Sequence, residues 1–215
     1  FGVGPARTPG CGVFRGLREV KPGCVLEYSR ERVKESPYWV LEAKPHTDSY
    51  AQTVETVSWL LRDAVQRQLV SDVPVCSFLS GGIDSSMVTA IASRQLGQEG
   101  VTLNTFSFDF AHNDACFQSN AFQPTRDRPY VDQVLALYPL HHTYLECDEA
   151  TLAGLLGDAV RMKDLPGMTD VDASLLYFCG LVKQHNKVAL TGECADEIFG
   201  GYPWFYRPEM LYRDF

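Results

Sequence analysis

Residues 73–86 read VPVCSFLSGGIDSS, and this stretch combines three local patterns. An apolar run typical of a buried strand is followed by a Gly-Gly turn, and a segment with helical periodicity begins immediately afterwards. Glycine allows a positive φ and a close approach of the backbone to an oxyanion, and the N–H groups of a first helical turn donate hydrogen bonds to it. This order of strand, turn and helix predicts a loop that binds phosphate.

The residues of this loop indicate a metal ion beside the phosphate. A Walker A loop carries a Lys where this loop carries Asp84. A carboxylate next to phosphate is physically reasonable only when Mg²⁺ lies between the two anions, so Asp84 is predicted to be a Mg²⁺ ligand. The residues predicted to hold the phosphates are Ser80, Gly81, Gly82, Ser85 and Ser86.

A second motif follows a predicted strand near the end of the chain. Residues 187–190 read KVAL, and residues 191–202 read TGECADEIFGGY. The second segment resembles the SGEGxDExFGGY signature of glutamine-dependent asparagine synthetases, and residues 80–85 resemble the PP-loop of ATP pyrophosphatases, which cleave ATP between the α and β phosphates. Thr191 replaces a Ser of the signature and keeps the hydroxyl. Cys194 replaces a Gly and either restricts the backbone at this turn or adopts a negative φ there.

The N-terminal region resembles the same family. Residues 4–23 read GPARTPGCGVFRGLREVKPG and are similar to the end of the glutaminase domain of these enzymes. The resemblance implies a remnant of that domain at 1–37, a linker at 38–48 and a PP-loop synthetase domain at 49–215 that is truncated at its C-terminus. It also implies that the Cys nucleophile for glutamine hydrolysis and a catalytic Lys lie outside the chain, so the chain alone is predicted to make no asparagine.

Periodicity along the chain predicts an α/β fold. Ser49 and Gln52 form a capping-box pattern before an apolar helical repeat. Strands then alternate with helices, which predicts a parallel sheet with flanking helices. The resemblance implies the adenine-nucleotide α-hydrolase-like version of this class, preceded by a short β remnant. The predicted strands lie near 73–79, 103–110, 142–147 and 187–191, and the predicted helices near 85–96, 129–138, 148–162 and 173–185.

In such a sheet, ligands bind beyond the carboxyl ends of the strands where the strand order reverses. Both motifs follow strands, so we expect them to face each other across one cleft. The resemblance implies that ATP binds in this cleft, with Mg²⁺ held by Asp84 and Asp196 and with the adenine flanked by backbone groups of Phe78 and Phe108. The remaining predicted nucleotide-binding residues are Thr191 and Gly192.

The resemblance implies a reaction in two steps. The β-carboxylate of aspartate attacks the α-phosphorus of ATP to give β-aspartyl-AMP and pyrophosphate, and ammonia derived from glutamine then displaces AMP. Glu193 is the predicted catalytic residue, because it is placed to orient or deprotonate the ammonia. The resemblance also implies a homodimer for the full-length enzyme.

Two alternatives stay open at this point. A β-lactam synthetase-like or peptide-cyclising enzyme shares the PP-loop and adenylylates a carboxylate, but it closes that carboxylate on an internal amine. A module of a different class would bind ATP without turnover. The presence of both Glu193 and Asp196 disfavours such a module, because binding alone does not require both carboxylates.

Composition and charge narrow the classes of partner. The formal net charge of −8 argues against nucleic acid, because phosphate backbones require a basic surface. No stretch approaches the ~20 apolar residues of a membrane span. The seven cysteines are odd in number and have no C-x-x-C spacing, so we expect reduced thiols and a cytoplasmic protein. Cys76, Cys147 and Cys179 lie in apolar patterns and are predicted to be in the core.

Two connecting segments are also relevant to the site. Residues 111–128 lack periodicity and are long for a connection, so they are expected to be either a mobile cover of the active site or disordered. Residues 164–172 form a predicted turn at the mouth of the cleft, where they are candidates for an amino-acid pocket. Asp172 at its end is expected to cap the helix that follows.

Overall fold

The structure is a computed structural model that describes residues 8–119, 125–165 and 167–209. Parts of the predicted domain remnant, of the segment 111–128 and of the predicted synthetase domain therefore lie outside the described residues. Within the described ranges, no helix combines the length and the apolar character that crossing a lipid bilayer requires.

The first regular elements form an antiparallel hairpin of two exposed strands, β1 (Cys24–Tyr28) and β2 (Val33–Pro37). The turn between them is closed by Ser29, whose hydroxyl donates to the Arg32 carbonyl at 3.2 Å and accepts from the Arg32 N–H at 3.1 Å. Residues 38–49 follow without helix or strand.

Helix α1 (Tyr50–Gln68) begins at the predicted capping box. The Ser49 side chain accepts from the backbone of Gln52, and the Gln52 side chain accepts from the backbone of Ser49 at 2.9 Å. Two backbone N–H groups at the helix start thereby have hydrogen-bond acceptors within the capping box itself, and no other part of the fold is needed. Both the start and the type of this element are confirmed.

The main sheet contains four parallel strands in the order β5-β4-β3-β6. The strands are β3 (Val75–Phe78), β4 (Leu103–Phe110), β5 (Leu140–Cys147) and β6 (Val188–Leu190). The chain places β4 and β5 on one side of β3 and then crosses to the other side for β6. The strand order therefore reverses between β3 and β6, where a ligand cleft is expected.

Helices cover both faces of this sheet. The helices that follow α1 are α2 (Ile83–Gln98), α3 (Asn113–Cys116), α4 (Arg128–Leu137), α5 (Glu149–Lys163), α6 (Thr169–Val182) and α7 (Ala195–Phe199), with a 3₁₀ turn at Pro203–Phe205. On one face, Val65 of α1 and Ala92 of α2 pack around Leu103. On the other face, Val182 of α6 packs with Phe106. The predicted α/β class, with its four parallel strands and flanking helices, is confirmed.

The start of α6 differs from the prediction. α6 begins at Thr169 with Met168 as its N-cap, so Asp172 lies inside the helix. The buried Asp172 carboxylate accepts from the Lys163 ammonium at the end of α5. The prediction that Asp172 caps the helix is wrong, because a cation from the neighbouring helix satisfies the carboxylate.

The cysteines divide between core and surface. Cys76 and Cys147 are buried, as predicted, whereas Cys179 is exposed, so its assignment to the core is wrong. The neighbouring residue Phe178 is the one that α6 turns toward the sheet. All seven cysteines are free thiols.

Candidate functional site

The phosphate-binding loop lies between the end of β3 and the start of α2. Gly82 is the N-cap of α2 and forms no side-chain cap, so the first N–H groups of the helix have no capping side chain. Gly81 has a φ of 80°, and a Cβ at this position would lie 2.7 Å from the Cβ of Tyr130 and 2.9 Å from the carbonyl oxygen of Asp127. Glycine is therefore required here by conformation and by close packing against the start of α4.

Two serines brace the loop from inside. The Ser85 hydroxyl is buried, accepts from the Ser80 N–H at 3.2 Å and lies 3.0 Å from the Ser80 hydroxyl. It also donates to the Gly82 carbonyl at 3.2 Å. These bonds hold the loop in its curved shape before any ligand binds.

The second motif packs directly against the first. A Cβ on Gly192 would lie 2.8 Å from the Ser85 nitrogen and 2.9 Å from the Asp84 Cβ. Only a residue without a side chain fits at this distance. The turn after β6 and the start of α2 therefore form one structure, although more than a hundred residues separate them in the chain.

The acidic turn has its own internal order. The Glu193 N–H donates to the Thr191 hydroxyl at 3.3 Å, and the Tyr202 hydroxyl donates to Glu197 at 3.1 Å.

Cys194 is the N-cap of α7 with a φ of 68°, in the left-handed region. The sequence left two alternatives for Cys194, a restricted backbone or a negative φ, and the negative φ is wrong. The Gly201 N–H donates to the carbonyl of Asp196 at 2.9 Å, and a Cβ on Gly201 would overlap the Asp196 carboxylate.

Both motifs line one cleft of about 600 Å³. The predicted site residues that line it are Phe78, Ser80, Gly82, Asp84, Ser85, Phe108, Thr191, Gly192, Glu193 and Asp196. Gly81 and Ser86 do not line it: Gly81 is turned toward α4, and the Ser86 N–H donates to the Gly82 carbonyl at 3.0 Å. The structure thus brings the predicted catalytic, metal and nucleotide residues together, and their individual roles stay predictions.

The phenylalanines beside the cleft contribute packing through their rings. The rings of Phe78 and Phe108 are 4.9 Å apart, and Phe108 stacks on Phe178 of α6 at 4.5 Å. The prediction that backbone groups of Phe78 and Phe108 flank the adenine stays a prediction.

Sequence reasoning missed several residues that line the cleft from β4, α4, β5 and the segment after α7. They are Ser107, Asp109, Arg128, Tyr144 and Tyr202. Ser107 and Asp109 alternate with three phenylalanines along β4, so period-two alternation was a signal for them. The Ser107 hydroxyl donates to the Leu79 carbonyl directly before the loop. Arg128 and Tyr144 reach the cleft through tertiary packing and have no local signal.

The donor set of the cleft fits a magnesium ion that is bound together with phosphate. Asp84 and Asp196 both line the cleft, and carboxylate oxygens are the ligands that Mg²⁺ prefers. Among the described residues, no group of three or more His, Cys, Asp or Glu side chains forms a metal site by itself. Mg²⁺ commonly uses one or two carboxylates and takes its other ligands from phosphates and water.

A second, apolar cavity of about 750 Å³ lies on the other side of the acidic turn. Its walls include Leu61 of α1, Met87 of α2 and Phe199 of α7. Asp84, Glu193 and Asp196 border both cavities. The acidic turn is therefore accessible from a polar side and from an apolar side.

Comparison with known proteins places these motifs in a family. The Asparagine synthase family model matches residues 56–215. Asparagine synthetase [glutamine-hydrolyzing] 3 of Bacillus subtilis is 49% identical over 211 residues, which are 98% of this chain and 34% of that protein. Amidase chyE of Penicillium rubens is 31% identical over 207 residues, which are 92% of this chain and 30% of that protein.

Among solved structures, glutamine-dependent NAD+ synthetase from Acinetobacter baumannii in complex with ADP matches with a TM-score of 0.41 and 19% identity, covering 82% of this chain and 31% of that chain. The chain spans about a third of the length of the curated relatives named above. Because the family model covers most of the chain and the motifs that carry the resemblance lie in one cleft, the chain belongs to the asparagine synthase family.

Proposed function

We propose that the cleft binds MgATP and adenylylates a carboxylate, and that the complete protein thereby converts aspartate to asparagine with ammonia derived from glutamine. The observation that carries this proposal is the packing of Gly192 against Asp84 and Ser85, which joins a phosphate-binding loop to a carboxylate-rich turn. The Bacillus subtilis relative, an asparagine synthetase by name, supports aspartate as the acceptor.

The loop residues have separate roles in this proposal. The uncapped N–H groups at the start of α2 bind the leaving pyrophosphate, and the Ser80 hydroxyl, whose proton is directed to Ser85, holds the loop that carries them. Asp84 and Asp196 would hold Mg²⁺, which neutralises phosphate charge when it is bound. The brace between Ser80 and Ser85 keeps the donors in place, so little reorganisation is needed when charge develops on the leaving group.

Glu193 is assigned to the ammonia step. Its exposed side chain borders both the polar cleft and the apolar cavity. Neutral ammonia enters an apolar cavity more readily than ammonium does, because a desolvated charge is costly. A carboxylate at the junction is then positioned to orient the nucleophile and to accept its proton.

A second candidate differs in the carboxylate that is adenylylated and in the amine that then attacks it. Amidase chyE is similar over nearly the same part of this chain, so relatives of this region carry names other than asparagine synthetase. An enzyme that adenylylates another carboxylate, including a β-lactam synthetase-like or peptide-cyclising enzyme, would use the same phosphate loop. For either candidate we propose a cytoplasmic protein that forms a homodimer in its complete form and takes no nucleic-acid partner.

The test is isotope exchange between pyrophosphate and ATP, measured on the complete protein with one carboxylic acid at a time. We expect aspartate to support exchange and glutamate to support little. Exchange with another carboxylic acid and none with aspartate would favour the second candidate. MgATP binding without exchange for any acid tested would contradict the proposed adenylylation.

A further inference from the structure

The charges around the cleft are unevenly distributed. Of the described residues that line it, one carries a basic side chain, Arg128, the first residue of α4. The acidic residues of the lining are Asp84, Asp109, Asp127, Glu193 and Asp196. A polyphosphate that enters this cleft therefore meets a single protein cation among the described side chains.

The guanidinium of Arg128 is held in place by β5. Its Cζ lies 4.2 Å from the centroid of the Tyr144 ring, within the range of a cation–π contact. The Tyr144 hydroxyl donates to Asp132 at 2.7 Å. Burial, together with this hydrogen bond to Asp132, raises the pKa of Tyr144 to about 12, so the ring stays a neutral phenol near neutral pH. The Arg128 guanidinium therefore lies over an aromatic ring that is itself held by the hydrogen bond to Asp132.

The ion pair with Glu146 leaves the Nη1 donors of Arg128 available. Its Nη1 lies 3.7 Å from the Glu146 carboxylate, which is longer than a hydrogen bond. The side chains of Arg128 and Glu146 are 44% and 55% exposed, and exposed ion pairs contribute little. A ligand oxyanion can therefore take these N–H groups without breaking a strong contact.

The position of α4 favours phosphate as that oxyanion. A Cβ on Gly81 would lie 2.9 Å from both the carbonyl oxygen of Asp127 and the N–H nitrogen of Val131. Arg128 lies between these two contacts in the first turn of α4, so its backbone is directly beside the phosphate-binding loop. The carboxylates of the acidic turn, in contrast, approach the cleft from β6.

We propose that Arg128 binds a phosphate group of the nucleotide and that Tyr144 positions its guanidinium for this contact. The inference rests on the proposed function, because it requires a nucleotide in the cleft. A guanidinium presents parallel N–H donors to a phosphate, which a Lys at the same position cannot match.

Calorimetric titration of the complete protein with MgATP, magnesium pyrophosphate and adenosine tests this proposal. We expect Arg128→Gln to weaken MgATP and pyrophosphate binding about ten- to a hundredfold and to leave adenosine binding unchanged. Arg128→Lys should lose part of the affinity, since it keeps the charge without the planar fork. If Arg128→Gln does not fold, the Lys variant decides, and an unchanged pyrophosphate affinity in it overturns the proposal.

The matched control is Arg94→Gln. Arg94 also lies over a tyrosine, with its Cζ 5.7 Å from the Tyr138 ring, but it does not line the cleft. This variant should keep the affinities of the parent. Equal losses for adenosine and MgATP in Arg128→Gln would show that the guanidinium contacts the base, and the phosphate assignment would be wrong. Failure of the parent chain to bind MgATP or pyrophosphate would instead contradict the proposed function.

Discussion

At the scale of single residues, the conformation of Cys194 is the clearest departure from what its side chain prefers. Its φ of 68° lies in the left-handed region, where a Cβ crowds the following carbonyl oxygen. The turn nevertheless keeps this geometry, because β6 on one side and the Asp196–Gly201 contact on the other fix both of its ends.

Cys194→Gly should therefore stabilise the protein. We expect the free energy of unfolding in urea to rise by about 1 kcal/mol, because glycine adopts a positive φ without strain. Cys179→Gly is the control, since Cys179 is exposed in the interior of α6, where glycine costs stability. A loss of stability in Cys194→Gly would show that the thiol makes contacts that outweigh the strain.

His142 makes stability depend on pH. Burial lowers the pKa of His142, Asp132 opposes this effect and Arg128 adds to it. The Nδ1 of His142 lies 2.8 Å from the Thr105 hydroxyl, and its buried Nε2 has no partner among the described atoms. Protonation therefore favours the unfolded state, which binds the proton at a higher pH than the folded state does.

We expect the free energy of unfolding to be level above about pH 6.5 and to fall as the pH drops below it. His142→Gln should show a shallower fall between pH 7 and 5. His141→Gln, on the opposite face of β5, should keep the slope of the parent. Denaturant titrations at each pH provide the measurement, and identical slopes for the parent and His142→Gln would refute this explanation.

At the scale of elements, the contact between α5 and α6 depends on an asymmetric ion pair. The side chain of Asp172 is 8% exposed and that of Lys163 is 46% exposed. A Lys that loses its partner can turn into water, whereas a buried carboxylate that loses its partner cannot.

Lys163→Met should consequently destabilise the protein more than Asp172→Asn does. We expect a loss of about 1–3 kcal/mol for Lys163→Met, measured by urea unfolding, and a smaller loss for Asp172→Asn. Arg161→Met removes an exposed pair with Asp158 on the same helix, and it should change stability by less than about 0.5 kcal/mol. A larger loss in Asp172→Asn would contradict the asymmetry.

The same elements indicate what a sequence can and cannot predict. α1 was predictable at its first residue, because Ser49 and Gln52 satisfy the helix start locally. The start of α6 was not, because Asp172 is a plausible cap by sequence and only the approach of Lys163 identifies it as an ion-pair partner. The predicted site residues lie in strands or directly after them, where local pattern is strong, whereas Arg128 enters the cleft only through the packing of α4 on Gly81.

At the scale of the whole molecule, the strand order gathers the cleft from distant parts of the chain. In the main sheet β3 comes first along the chain and β6 comes last, yet the two strands are neighbours. A ligand that contacts the loops after both strands therefore connects the beginning of this sheet with its end. Ligand binding should then stabilise the sheet as a unit, since a ligand that binds only the folded state shifts the folding equilibrium.

MgATP at a hundred times its Kd should raise the free energy of unfolding by about 2.7 kcal/mol. Asp84→Asn should remove most of this protection, because phosphate charge in the cleft is then poorly compensated. Asp63→Asn, which loses only an exposed pair with Arg67 on α1, should keep it. Thermal melts of the parent and of both variants, with ATP alone and with ATP plus Mg²⁺, measure this protection. Equal protection with and without Mg²⁺ would show that Asp84 is not a metal ligand.

The acidic turn lines both cavities, and this has a further consequence. It separates a polar compartment from an apolar one, and residues 191–193 and Asp196 form part of the wall of each. Because Glu193 lines both cavities, a group that enters from either cavity can approach the same carboxylate. A change in the shape of this one partition would alter both compartments at once.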